Sequence, residues 1–293
     1  MCPICHENKY IVIGLPSLGS NETRIITQDY KVVKCNHCAI YYINPPINLS
    51  KNEWENLYRN DYFDPMTKWH KKRREKDRIK RFNNMEKYSS HKIKTFLDIG
   101  CGEGYGLLEA ESRGWNTFGV DIADNRLQQA MNNNITFINN DLMSAHFSDD
   151  FFDVVYMDSV LEHVLNPHEY LLEIKRIMKK GGIFYIGIPN EDSLLNTIKR
   201  IIYKFLGNDT SPKLKPFKSP YHVIGFNKKT ICLTLHKTNL KVRKIRNFAC
   251  RVEFLKSKPF TKDYFQSLLL FPIYLLAIPL RKEVYLEVYV EKI

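Results

Sequence analysis

An α/β fold built on a largely parallel sheet, with a small cysteine-rich knot ahead of it, is what this sequence predicts, and three observations carry the prediction. From Lys94 onward, short apolar strands alternate with amphipathic helical stretches, the signature of a parallel α/β sheet. The first of those strands runs directly into a glycine-rich turn, Asp98-Ile99-Gly100-Cys101-Gly102-Glu103-Gly104. Four cysteines stand in two C-x-x-C pairs, Cys2 with Cys5 and Cys35 with Cys38, near the N-terminus.

The elements follow in order. Residues 1–45 hold the paired cysteines among short β-like stretches, and Asn44-Pro45-Pro46 breaks the chain after them, because consecutive prolines remove donors and exclude helix before them. This divides the sequence into a knuckle at 1–45, a helical linker at 46–93 and a main domain at 94–293. The linker reads as helical over 51–90, with ten Lys or Arg between Lys68 and Lys87 around a sparse stripe of Ile79, Phe82 and Met85. Strands are expected at Thr95–Ile99, Thr117–Asp121, Ile135–Ile138, Asp153–Met157 and Ile183–Ile188, with helices after the first, second and fourth. The clearest helix, Pro167–Lys180, repeats Tyr170, Leu171, Ile174, Ile177 and Met178 at helical spacing and should stop at Gly181-Gly182. Ser193–Leu206 reads as an amphipathic helix with a basic face, and the proline- and lysine-rich loop after it, to Pro220, suits a lid. Thr230–Thr238 should be helical, and the closing strands are Lys241–Phe248 and Val284–Val290. Between them Leu268–Leu280 is apolar but thirteen residues long with two prolines, short of the roughly 20 that span a bilayer. It reads as a packed helix, with peripheral membrane contact as the alternative.

Composition limits the partners without choosing one. The chain carries 44 Lys and Arg against 32 Asp and Glu, a formal charge of +12, a field that attracts nucleic acid, phosphorylated metabolites or an anionic membrane surface. Seven cysteines with no apolar leader ahead of them suggest a cytoplasmic protein with metal-bound thiolates in place of disulfides. Cys2, Cys5, Cys35 and Cys38 supply the four ligands of a closed, structural Zn2+ site, leaving His6 and His37 surplus.

Glycines at 100, 102 and 104 let the backbone turn sharply and approach a ligand, with a helix N-terminus beyond them. Their spacing departs from the G-x-G-x-x-G dinucleotide fingerprint. About twenty residues on, Asp121 ends the second strand, where a carboxylate can accept ribose hydroxyls. Asp141 ends the third, so all of these groups reach the carboxyl edge of the sheet. At these residues the sequence resembles the class I S-adenosylmethionine (SAM) dependent methyltransferases over about 94–190. The match continues through Phe152-Asp153-Val154-Val155, Leu161-Glu162-His163-Val164, Met178-Lys179-Lys180-Gly181-Gly182 and Ile188-Pro189-Asn190. The resemblance implies a Rossmann-like sheet of seven strands with a reversed final hairpin, and SAM as cofactor. It places Asp98 near the SAM amino group and Gly100, Cys101, Gly102 and Gly104 around its amino-acid portion. Asp121 and Ile122 fall on the ribose, Asp141 and Leu142 on the adenine, and the Met157 backbone beside the cofactor.

The cysteine pairs, Asn44-Pro45-Pro46 and Leu57-Tyr58-Arg59-Asn60-Asp61-Tyr62-Phe63 resemble the N-terminus of zinc-knuckle bacterial methyltransferases of glycan, deoxysugar and secondary-metabolite pathways. That resemblance implies O-methylation of a sugar, a lipid-linked glycan or another small-molecule acceptor. An rRNA or tRNA methyltransferase is the rival enzyme reading, and a catalytically inactive zinc-stabilised binding module the non-enzymatic one. A hydroxyl acceptor must lose a proton, for which histidine is the usual base. His222, in a stretch similar to the E-H-x-x-x-F-[ST] segment of sugar-modifying relatives but with Tyr221 in place of Glu, ranks first. His163 ranks second, ahead of His168.

Overall fold

Two sheets organise the chain in this computed structural model, which describes residues 1–16, 29–58, 68–90, 92–132, 134–211, 214–216, 221–248 and 259–293. The first is formed by β1 (Tyr10–Gly14), β2 (Lys31–Cys35) and β3 (Tyr41–Asn44), antiparallel neighbours in that order. Two helices follow, α1 (Lys51–Leu57), closed by a Ser50–Glu53 capping box, and α2 (Lys68–Tyr88). The expected helix over 51–90 is therefore two helices, and residues 59–67 between them lie outside the described residues. Phe82 and Met85 of α2 are fully buried while Ile79 is partly exposed. The Phe82 ring stacks on Trp115 at 5.5 Å and lies 5.3 Å from Phe96, so the sparse stripe anchors a strongly basic helix to the main sheet.

The main sheet begins with β4 (Thr95–Ile99), then α3 (Tyr105–Ser112), β5 (Asn116–Asp121), β6 (Ile135–Asn139) and β7 (Phe152–Asp158). The chain continues with α4 (Pro167–Ile177), β8 (Met178–Pro189), α5 (Leu194–Phe205), the two-residue β9 (Ile224–Gly225) and α6 (Lys228–Lys237). It ends with β10 (Leu240–Phe248), α7 (Lys262–Ala277) and β11 (Tyr285–Lys292). Seven strands pair in the order β10-β11-β8-β7-β4-β5-β6, with β11 antiparallel to both neighbours. The reversed hairpin is thus present. β7 is buried from Phe152 to Met157 without alternation, as expected of a strand covered on both faces.

Two expectations fail for tertiary reasons. Helix α4 stops at Ile177, not Lys180, because Met178 turns extended (φ −76°, ψ 144°) and pairs with Phe152. The register then jumps to Val154 opposite Ile183, a bulge that passes through Gly181 at φ +76° and brings Lys179 Nζ to 2.9 Å from Asp153. Between β5 and β6 the expected helix is one 3₁₀ turn, Gln128–Ala130. The segment before that turn is held to the glycine loop by the Leu127 N–H on the Glu103 carbonyl at 3.0 Å, and the Arg126 guanidinium sits 3.8 Å from the Phe137 ring centroid.

β9 does not join the main sheet. It pairs with β3, Tyr41 opposite Gly225 and Tyr42 opposite Ile224, so the N-terminal strands and the segment after α5 share one sheet. One buried cluster runs from Cys2, Ile4 and Val32 through Leu97 and Met157 to Ile231 and Val288. Among the described residues no helix is long and apolar enough to cross a membrane.

Candidate functional site

The glycine turn has the geometry that its composition requires. Gly100, Gly102 and Gly104 all have positive φ, at 66°, 50° and 83°, where a side chain costs roughly 1–2 kcal/mol. Space enforces two of them again, since a Cβ on Gly100 would lie 2.4 Å from Val160 Cγ2 and one on Gly104 2.6 Å from Ala130 Cβ. Gly104 opens α3. Asp121 closes the turn from the next strand, its Oδ2 accepting from the Gly102 N–H at 2.8 Å and its Oδ1 from the Ala123 N–H at 3.2 Å. Burial pushes the Asp121 carboxyl up, against the lowering effect of those N–H groups. Asp98 is buried on β4, and burial, then the charges of Asp158 and Asp121, push its carboxyl well up. A Cβ on Gly106 would meet its Oδ2 at 2.2 Å. Cys101, Leu142 and Met157 are buried, and Ile122, next to Asp121 in the chain, is half-buried. Asp141 caps the 3₁₀ turn Leu142–Ser144, accepting from the Ser144 N–H and Oγ, each at 3.0 Å.

Beyond β7 the chain turns through a 3₁₀ turn, Leu161–His163, that meets the segment leading into β9, the Val223 N–H donating to the Glu162 carbonyl. There His163 and His222 come together, ring centroids 5.1 Å apart, although 59 positions separate them in the sequence. Glu162 lies between them, fully buried, with its Oε1 3.7 Å from His222 Nε2. Tyr58, at the end of α1, holds the group from the other side: its hydroxyl is 3.0 Å from His163 Nδ1. Burial, with His163 and Lys215 nearby, lowers His222 to about 3, and burial lowers His163 to about 4. Both imidazoles are therefore neutral near pH 7. His168 lies in the first turn of α4, outside this group.

Residues 97–186 match the family model described as a methyltransferase domain. That stretch carries a methyltransferase domain. Over 102 residues it is 35% identical to an uncharacterized protein of Methanocaldococcus jannaschii, covering 35% of this chain and 44% of that protein. Over 134 residues it is 29% identical to a ubiquinone biosynthesis O-methyltransferase of Glaesserella parasuis, covering 42% and 55%. The chain thus spans about half of these relatives' length. Among solved structures, the geranyl diphosphate C-methyltransferase of Streptomyces coelicolor superposes with a TM-score of 0.53 at 12% identity, covering 85% of this chain and all of that one. That likeness concerns the fold. The methyltransferase domain's model match contains the glycine turn, Asp121, Asp141, Glu162 and His163, whereas His222 lies outside it.

Ahead of the methyltransferase domain the four cysteine sulfurs converge. Cys2 Sγ is 3.5 Å from Cys38 Sγ, Cys5 Sγ is 3.5 Å from Cys35 Sγ, and all four lie within 4.8 Å of one another. Sulfurs around one tetrahedral ion at about 2.3 Å would be roughly 3.8 Å apart, so the set could hold a metal with little movement. The Cys38 thiol, followed by backbone N–H groups, outweighs burial and holds Cys2 at about 5. Sequence reasoning gave no role to Gly106, Tyr58 or Glu162. Gly106 had a local signal, a glycine two residues past the turn inside a helix. Tyr58 had none, since its partner is 105 positions away.

Proposed function

We propose that the chain is a SAM-dependent methyltransferase that transfers a methyl group in line to the oxygen of a sugar, glycan or other small-molecule acceptor. The observation that carries it is the glycine turn, three left-handed glycines of which Gly102 donates to Asp121, beside the buried Asp98. Such a turn exposes backbone N–H groups to a ligand and keeps two carboxylates near them. SAM occupies this edge, with Asp98, Gly100, Cys101, Gly102 and Gly104 around its amino-acid part. Asp121 and Ile122 take the ribose, Asp141 and Leu142 the adenine, and Met157 the floor. The acceptor faces the group of Glu162, His163 and His222, with His222 first and His163 second as the residues that handle its proton. Calorimetric titration with SAM is the direct test, and no binding by the intact protein would sink the reading.

Cys2, Cys5, Cys35 and Cys38 hold a structural Zn2+ in the 1–45 knuckle, with 46–93 as linker and 94–293 as the catalytic domain. For the RNA alternative the basic helix α2 is partly neutralised, since Arg73 pairs with Asp77, Arg78 with Glu109, and Arg81 with Asp158 and Glu287, while Arg74, Lys76, Lys80 and Lys87 stay exposed with no exposed aromatic side chain set among them for stacking on bases. A lipid-linked acceptor has more support. Helices α5 and α7 pack together through Leu195 and Tyr274, and their outer faces present Phe205 (87% exposed), Leu206, Leu269 (76%) and Leu276. Lys199, Arg200, Lys204, Lys262, Arg281 and Lys282 are exposed around them, a pairing of apolar and basic side chains suited to an anionic bilayer surface from the cytoplasmic side. Vesicles of anionic phospholipid should co-sediment with the protein, and Phe205→Ser with Leu269→Ser should release it. Equal sedimentation by both proteins, or none by either, would remove the membrane from the proposal.

A further inference from the structure

The group of Glu162, His163 and His222 is built unlike an ordinary hydrogen-bonded cluster. Glu162 is 1% exposed and neither of its carboxyl oxygens has a hydrogen-bond partner, a condition that costs about 1–3 kcal/mol or more for a charged group. Its nearest basic atom, His222 Nε2, is 3.7 Å away, too far for a hydrogen bond. His163 Nδ1 lies 3.0 Å from the Tyr58 hydroxyl and 3.2 Å from the Tyr221 carbonyl oxygen; the carbonyl only accepts and the hydroxyl can do either, so a proton on Nδ1 shared between the two oxygens satisfies both. The lone pair then sits on Nε2, which is buried without a partner. A ring nitrogen fixed by a backbone carbonyl, with its other nitrogen left bare, is the arrangement that orients a metal-ligating histidine.

We propose that Glu162, His163 and His222 form a metal centre, separate from the cysteine knot, that takes one divalent transition-metal ion and binds the acceptor hydroxyl beside the methyl donor. One ligand atom from each residue lies within 4.8 Å of the others. Ligands at roughly 2.0–2.1 Å from one ion are about 3.3 Å apart in a tetrahedron, so the 3.7 Å separation already fits and the widest pair closes by a small side-chain rotation. Two imidazoles and one carboxylate favour ions of the zinc, iron or cobalt class over magnesium or calcium, and three protein ligands leave positions open. The place suits the reaction as well. Val160, two residues before Glu162, bounds the space over Gly100, so the centre adjoins the glycine turn. The role in methyl transfer rests on the function proposed above and turns its two histidines from bases into ligands: a bound acceptor hydroxyl releases its proton to water, its oxygen attacks the sulfonium methyl, and the C–S bonding pair stays on sulfur.

The test uses the full-length protein carrying a single zinc per chain, held by the cysteine knot, titrated with Co2+ and read by visible absorption and metal analysis. One Co2+ per chain should bind beyond the zinc, giving d–d bands without the sulfur charge-transfer bands that the cysteines would produce. Glu162→Gln, which keeps the shape of the side chain, and His222→Ala should each weaken binding by at least 10 to 100-fold, the loss seen even for residues that only support a ligand. Cys35→Ser should leave these bands in place. Metal-free Glu162→Gln should melt no lower than the parent, since it removes an unpaired buried carboxyl, which separates loss of the ion from loss of the fold. Absence of the bands in the parent, or bands unchanged in both variants, overturns the proposal. SAM binding without Co2+ binding would overturn the metal centre alone, and Co2+ binding without SAM binding the methyltransferase reading alone.

Discussion

Replacing Asp121 with alanine separates two tasks that one carboxylate performs. It accepts the Gly102 N–H at 2.8 Å and the Ala123 N–H at 3.2 Å, and it is the proposed acceptor for the ribose hydroxyls. The first contact is short and charge-assisted, the second long, and burial already disfavours the charge. The net loss in the unliganded protein is therefore small, about 1–2 kcal/mol, or a melting temperature lower by about 2–4 °C. Loss of a charged acceptor for a bound diol adds about 3 kcal/mol to the cost of holding SAM, a weakening of about 10²-fold. Calorimetric titration with SAM and scanning calorimetry on the same preparations measure both, with Asp121→Asn as a control that keeps one acceptor oxygen. A SAM affinity within twofold of the parent in the alanine variant, at a normal melting temperature, would remove Asp121 from the cofactor site.

Gly106→Ala isolates a steric effect: alanine is the better helix former by about 1 kcal/mol, so reduced SAM binding would report the 2.2 Å approach to Asp98, and an unchanged affinity would refute it. Once an acceptor is known, His222→Ala should lower turnover by about 10²-fold or more with SAM affinity nearly intact; normal turnover in this variant and in His163→Ala would show that neither ring takes part. Metal analysis should find one tightly held zinc per chain, and Cys35→Ser retaining it in full would disprove the four-cysteine site. Asp153 is depressed to about 2, because Lys179 and the N–H groups of Lys94 and Thr95 outweigh its burial. Its folded pKa lies below the unfolded value, so its contribution, about 2 kcal/mol, is complete above about pH 4 and disappears as the pH falls towards 2. Acid titration of Asp153→Asn, followed by circular dichroism, should lack that component, and curves of the same shape for both proteins would show the ion pair to be inert.

The strands and the glycine turn were legible because their signals are local. Thr95–Ile99 is an apolar run ending in glycines, and the period of the pattern and the turn residues need no distant partner to be read. Met178 failed for the opposite reason: its spacing continues the helical stripe, and only pairing with Phe152 across the sheet turns it extended. The acceptor side was half legible. His163 and His222 stood out as histidines after the glycine turn, but Glu162, just before His163, looked like one more charged residue in a turn. Its burial depends on the chain returning 61 residues later, with the Val223 N–H on its carbonyl at 3.0 Å, and no window of sequence contains that.

The pairing of β3 with β9 changes what the N-terminal knot is for. His222 sits two residues before β9, and Val223 donates to Glu162 while its carbonyl accepts from the Ile43 N–H at 3.3 Å. On the far side Tyr41 reaches Asp192 at 2.9 Å, and Lys237 Nζ bonds the Ile4 carbonyl between the first two cysteines at 3.0 Å. The knot is thus a buttress for the chain segment on the proposed acceptor side, while the glycine turn is held from within the main domain, by Asp121 and by the Leu127 N–H on the Glu103 carbonyl. Wear on the buttress should be felt by one substrate and not the other: a chelated or truncated N-terminus would leave donor binding intact and blunt discrimination among acceptors. Lineages could likewise retune acceptor choice by altering a short cysteine-rich segment far from the methyl group, leaving the donor pocket untouched.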